Sequence, residues 1–156
     1  MPFLTECYAD QHLIWLLSDG NKKPKHCNDK GRVINFLRKK SGNLGIVDED
    51  PFQAQPTYLK AMTKIDQIHD LQLLKDDNNN HVIVICPRLE EWLEKATKKS
   101  GKKISDYFRV KNAKELHAII HDHLDKIDIL VEDMLRLENP YFKTLKSWLL
   151  RYVEDL

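Results

Sequence analysis

No run of eighteen apolar residues occurs anywhere in the 156-residue chain, so it predicts no transmembrane helix. Its first stretch, MPFLTECYADQHLIWLL, lacks a basic start and carries Glu6 and Asp10 before its apolar part, unlike a secretory leader. Cysteine is scarce and odd in number. Cys7, Cys27 and Cys86 are widely spaced with no C-x-x-C pair, which argues against a disulfide framework or a cysteine zinc site and predicts a reducing, cytoplasmic setting. The five glycines are scattered, with no phosphate-cradling loop, and this argues against an NTPase or a dinucleotide fold. No G-x-S-x-G elbow marks a serine hydrolase. Neither sign of charge is in excess: 25 basic against 24 acidic residues leave a formal +1. Bulk charge therefore names no partner, although a basic patch fits within a balanced total.

What is present is the composition of a globular domain, 42% hydrophobic and 31% charged. Residues 2–7, PFLTEC, read as a first strand, and 9–17 as a helix packed on a sheet. A short strand is expected near 25–27, then a helix over RVINFLRKK, with basic residues at its favourable C-terminal end. LGIVDED (44–50) reads as the next strand. The spacing of Tyr58, Leu59, Met62 and Ile65 predicts a helix over 56–68. LQLLKDD and HVIVICP read as strands joined by a tight polar turn at NNN. RLEEWLEKATKK is amphipathic, and everything after SGKK reads as helical, with Pro140 at a helix start. Strands alternating with helices predict an α/β fold with a largely parallel sheet over 1–99 and a helical extension over 100–156 packed on it.

The stretch GNLGIVDEDP (42–51) ends a buried-looking strand in three carboxylates. Asp-Pro makes a turn one reading. The other is a metal site, because residues i and i+2 of a strand share a face, so Asp48 and Asp50 would project together. Paired carboxylates repel unless a proton or cation lies between them, and oxygen-only ligation suits Mg²⁺ or Mn²⁺. Functional groups of α/β sheets collect at the carboxyl ends of strands. Glu6, Asp48 with Asp50, and Glu90 with Glu91 all fall at such ends, which favours the metal reading. Glu6 and Asp10, spaced E-x-x-x-D, could face one acidic cleft, or Asp10 could simply favour its helix N-terminus.

LTECYAD, GIVDED and VICPRLEEWL together resemble the Toprim family, the Rossmann-like domain shared by topoisomerases, primases and nucleases that include the overcoming-lysogenization-defect branch. The family carries a Glu after the first strand and an Asp-x-Asp after a later one. It usually has Gly after that Glu, where this chain has Cys7. The resemblance covers roughly the first two-thirds of the chain. It implies divalent-metal-dependent phosphodiester cleavage of nucleic acid, DNA rather than RNA, in a bacterial defence or repair setting. Asp48 and Asp50 would hold one Mg²⁺ or Mn²⁺, with Glu6. Asp10 and Glu90 would help hold a second, with Glu91 the alternative to Glu90. A transition-state lysine is also implied, with Lys146 and Lys143 as candidates, and an ATPase or other protein as partner. The rival is a non-catalytic binding module on the same fold. A receiver-like domain is disfavoured, since TECYAD has no adjacent acidic pair.

Lys98, Lys99, Lys102 and Lys103 form a dense basic loop that reads equally as a solvated helix end or as a phosphate-backbone contact. His117 and His121 have i, i+4 spacing, for which a polar helix surface is favoured over zinc. Trp15, Trp92 and Trp148 lie in apolar helical stretches and read as core rather than as base-stacking residues.

Overall fold

The computed structural model describes residues 3–20 and 23–154. Pro2 of the expected first strand, Asn21 and Lys22 of the lysine-bearing turn, and Asp155 and Leu156 of the expected last helix lie outside them. The element order is β1 (Phe3–Thr5), α1 (Tyr8–Leu17), β2 (Lys25–His26), α2 (Lys30–Lys39), β3 (Leu44–Asp48), α3 (Thr57–Ala61), β4 (Thr63–Ile68), β5 (Leu71–Lys75), β6 (His81–Ile85), α4 (Leu89–Lys99), α5 (Ala113–Ile119), α6 (Leu124–Arg136) and α7 (Pro140–Glu154). The strands form one mixed sheet in the order β2-β1-β3-β6-β5-β4. Strands β2, β1, β3 and β6 run parallel, and β5 and β4 return as antiparallel hairpins.

The period-2 alternation of strand side chains divides the core between the two sheet faces. Phe3, Leu44, Ile46, Ile83 and Ile85 lie in one cluster with Ala9, Leu13, Ile14 and Leu17 of α1, Leu89, Trp92 and Leu93 of α4, and the helices after residue 100. Leu4, Val47, Val82 and Val84 lie in the other with Val33, Ile34 and Leu37 of α2. Helices α1 and α2 thus cover opposite faces. The chain leaves β1 toward β2 and comes back past β1 to β3, so the strand order reverses between the carboxyl ends of β1 and β3. In sheets of this kind ligands bind outside the carboxyl ends of the strands at such a reversal point.

Side-chain bonds fix the start of α2 and join α4 to α7. Asp29 caps α2 by accepting from the Arg32 backbone N–H at 2.8 Å. Asn139, fully buried, donates to the Ala96 carbonyl at 2.6 Å and accepts from the Tyr141 N–H, tying α4 to the start of α7 at Pro140.

Three expectations are corrected. The helix over 56–68 stops at Ala61, and Thr63–Ile68 is an edge strand whose six residues are all exposed. It pairs with β5 through a two-residue turn at His69 and Asp70, with φ of +52° and +57°, so strand pairing overrides the helical spacing of Met62 and Ile65. The helix expected through His121 ends at Ile119 and tightens into a 3₁₀ turn over Ile120–Asp122. Finally, Trp92 and Trp148 are buried but Trp15 is 39% exposed, on the surface of α1 opposite its buried residues.

Candidate metal centre

Glu6 leaves the end of β1, and Cys7, in extended conformation, starts α1. The helix then places Asp10 in its first turn, on the buried side that also carries Ala9, Leu13 and Ile14. Asp48 is the last residue of β3, in phase with Leu44 and Ile46, so its side chain emerges on the same sheet face beneath α1. Each of Glu6, Asp10 and Asp48 offers a carboxylate oxygen within 4.8 Å of the others. Glu90, in the first turn of α4 and 6% exposed, adds its negative charge to the surroundings of Asp10 and Asp48.

The hydrogen bonds here are incomplete. The Asp48 backbone N–H donates to Glu6 Oε2 at 2.7 Å, and Cys7 Sγ donates to Asp10 Oδ2 at 3.1 Å. Asp10 Oδ1 and Asp48 Oδ1 are buried with no partner among the described residues. A buried carboxylate oxygen without a partner is costly and calls for a proton, a water or an ion.

Burial, together with the neighbouring acids, raises every member of the cluster. Glu6 is pushed up to about 7, chiefly by burial, with Asp50 adding to the rise and the Asp48 amide and Lys30 opposing it. Asp10 is likewise pushed up to about 7 by burial, helped by the charges of Glu6 and Glu90. Asp48 is held well above the usual carboxylate range by burial and then by Asp10 and Glu6. Burial also pushes the Cys7 thiol far up, so it stays a thiol and offers no thiolate to a soft metal. The oxygen-only donor set left over fits Mg²⁺ or Mn²⁺.

Asp50 does not join this cluster. The strand ends at Asp48, and Asp50 adopts φ +49°, so the i, i+2 projection is broken. Its carboxylate meets Arg88 Nε at 3.1 Å and Lys30 Nζ at 3.8 Å. Lys146 is also elsewhere, bonded at 3.0 Å to Asp19 beyond the far end of α1, roughly 13 Å along the helix axis from Asp10. Lys98, Lys99, Lys102 and Lys103 sit at and after the C-terminal end of α4, whereas Glu90 occupies its first turn, again roughly 13 Å away along that helix. Lys98, Lys102 and Lys103 line a surface cleft with Lys111. Glu91 approaches Arg88, its Oε1 3.7 Å from Nη1.

Sequence reasoning missed Lys30 and Arg88, and read His117 with His121 as a polar helix surface. Lys30 Nζ donates to the Glu49 carbonyl at 3.0 Å and bears electrostatically on Glu6. His117 Nδ1 pairs with Glu90 Oε1 at 3.2 Å, so α5 reaches the edge of the acidic site. Only the Asp29 cap placing Lys30 in the first turn of α2 could have drawn attention to that lysine. Compared with models of known families, with curated proteins and with solved structures, the chain gives no match.

Proposed function

We propose that this chain is a divalent-cation-dependent phosphodiesterase acting on nucleic acid, with a Toprim-like acidic site. The observation that carries the reading is the pair of buried, unpartnered oxygens, Asp10 Oδ1 and Asp48 Oδ1, in a three-carboxylate cluster at the reversal point of the sheet. Glu6, Asp10 and Asp48 would hold Mg²⁺ or Mn²⁺, with Glu90 bordering the site. Bound there, the ion would orient a phosphodiester, lower the pKa of water and stabilise the leaving oxygen. Without a cation the carboxylates repel a phosphate. Lys30 and Arg88, held by Asp50, supply the positive flank that Lys146 does not. The engagement of Asp50 by those two cations also supports a second reading, a non-catalytic module of the same fold working with a protein partner such as an ATPase.

Calorimetric titration with Mn²⁺ tests the first reading, using the native chain and Asp48→Asn. Removing a metal ligand should weaken binding by at least about 100-fold, beyond the roughly 10–100-fold typical of an outer-shell partner. Native binding lost in the variant, followed by Mn²⁺-dependent cleavage of DNA, is the expected result. Binding without cleavage of DNA or RNA favours the module. No binding by the native chain removes the metal site.

A further inference from the structure

The surface of α1 opposite its buried residues is aromatic. Tyr8, Gln11, His12 and Trp15 recur at three- and four-residue steps and form one stripe, opposite the buried Asp10, Leu13 and Leu17. Tyr8 is 56% exposed and Trp15 39%. Each ring is nevertheless held. Tyr8 stacks on His26 of β2 with ring centroids 3.9 Å apart and planes 7° from parallel. The Trp15 indole N–H donates to the Gly20 carbonyl at 3.2 Å, and His12 is pinned by Asp128 of α6. These residues, with Lys23 and Leu124, line a cleft of about 300 Å³.

We propose that this cleft is a base-binding subsite for single-stranded nucleic acid, with one base lying between Tyr8 and Trp15. Rigid, exposed aromatic faces with a polar rim are what an unpaired base stacks upon. The volume is at the small end for ligand pockets and suits one planar ring system. Duplex DNA keeps its base faces stacked inside the helix, so the subsite selects a single strand. Lys23 offers a cation to the strand's phosphates. The cleft begins on the same helical turn as Asp10, on the opposite side of α1. The role in catalysis rests on the phosphodiesterase reading; the binding itself does not.

The test is fluorescence anisotropy of a short fluorescein-labelled oligothymidylate at low salt in EDTA, where no cation contributes. Tyr8→Ala and Trp15→Ala should each weaken binding roughly 5- to 140-fold, equivalent to the about 1–3 kcal/mol of a base–aromatic stack. Tyr8→Phe and Trp15→Phe should stay within about twofold of native, since each keeps an aromatic face. If the alanine variants fail to fold, an abasic strand on the native chain decides, and it should lose as much. Binding unchanged in folded Tyr8→Ala, equal affinity for the abasic strand, equal affinity for thymidine monophosphate, or no binding of the oligonucleotide would each overturn the proposal.

Discussion

Asp10 occupies the first turn of α1, where a carboxylate usually faces solvent and favours the helix N-terminus. Here it is 1% exposed, and one oxygen takes a thiol hydrogen bond while the other has no partner among the described residues. A carboxyl pushed up to about 7 binds a cation only after giving up its proton. Mn²⁺ affinity should therefore climb steeply from about pH 6 to about pH 8, with protons released on binding, because Glu6 and Asp10 both lose theirs near 7. Calorimetry in buffers of different ionisation enthalpy would count those protons, and a flat profile would contradict the buried cluster. Asp10→Asn should lower the affinity by at least about 100-fold and reduce the proton count, since the amide has no titrating proton to release. The sequence disclosed that Glu6, Asp10 and Asp48 were acids at an element boundary. Which of them converge was decided by where β3 stops. Past Asp48 the pairing turns irregular: the Glu49 and Asp50 N–H groups still donate to the Ile85 and Pro87 carbonyls, at 2.9 and 3.0 Å, but Pro87 has no N–H to donate in return. Asp50-Pro51 offers a turn signal at that end, but the metal reading is preferred, so Asp50 reads as a ligand and instead anchors Lys30 and Arg88.

At the scale of elements, the site depends on β3 lying close against α2, because that contact fixes the height of Asp48 and brings Lys30 over the strand end. Gly45 permits the approach. A Cβ there would sit 2.9 Å from Val33 Cγ1 and 3.2 Å from Leu37 Cδ1. Val33 is β-branched and stiff in a helix, so it cannot rotate away. Gly45→Ala should cost about 1–3 kcal/mol in urea denaturation, and adding Val33→Ala should return part of it. Full native stability in Gly45→Ala would show that α2 is free to move outward. The elements legible in the sequence were those whose periodicity is enforced by burial. Strands β3 and β6 are buried on both faces, and α1 and α4 bury residues at three- and four-residue intervals. Strand β4 was not legible, because its stability comes from backbone pairing with β5 and no side chain is buried to betray it. Trp15 misled in the opposite sense: it lies in an apolar run, yet its position on α1 falls outside the buried stripe.

For the whole molecule, the acidic cluster reverses the usual relation between pH and stability. A carboxyl raised on folding binds its proton more tightly in the native than in the unfolded chain, so stability falls as pH rises from the unfolded to the folded pKa. For Glu6 that window runs from about 4.5 to about 7, and for Asp10 from about 3.8 to about 7. Asp76 works in the other direction. Burial raises it, but bonds from Tyr58 and Asn80 together outweigh that and hold it below the usual range, so its contribution is present above its unfolded pKa and is lost only in more acidic solution. Between pH 5 and pH 8 the raised acids dominate, and in EDTA the thermal midpoint should be higher at about pH 5 than at about pH 8. A cation that binds only the native, deprotonated site stabilises by mass action. Saturating Mn²⁺ should therefore lift the midpoint most at about pH 8 and close the gap. Asp48→Asn should gain stability at about pH 8 in EDTA, since it removes a buried like charge, and should lose the response to Mn²⁺. A midpoint in EDTA that instead rises from about pH 5 to about pH 8 would mean that the three acids are solvated and share no ion. The same pair of scans thus reports whether the burial of like charges is a cost that a bound cation relieves.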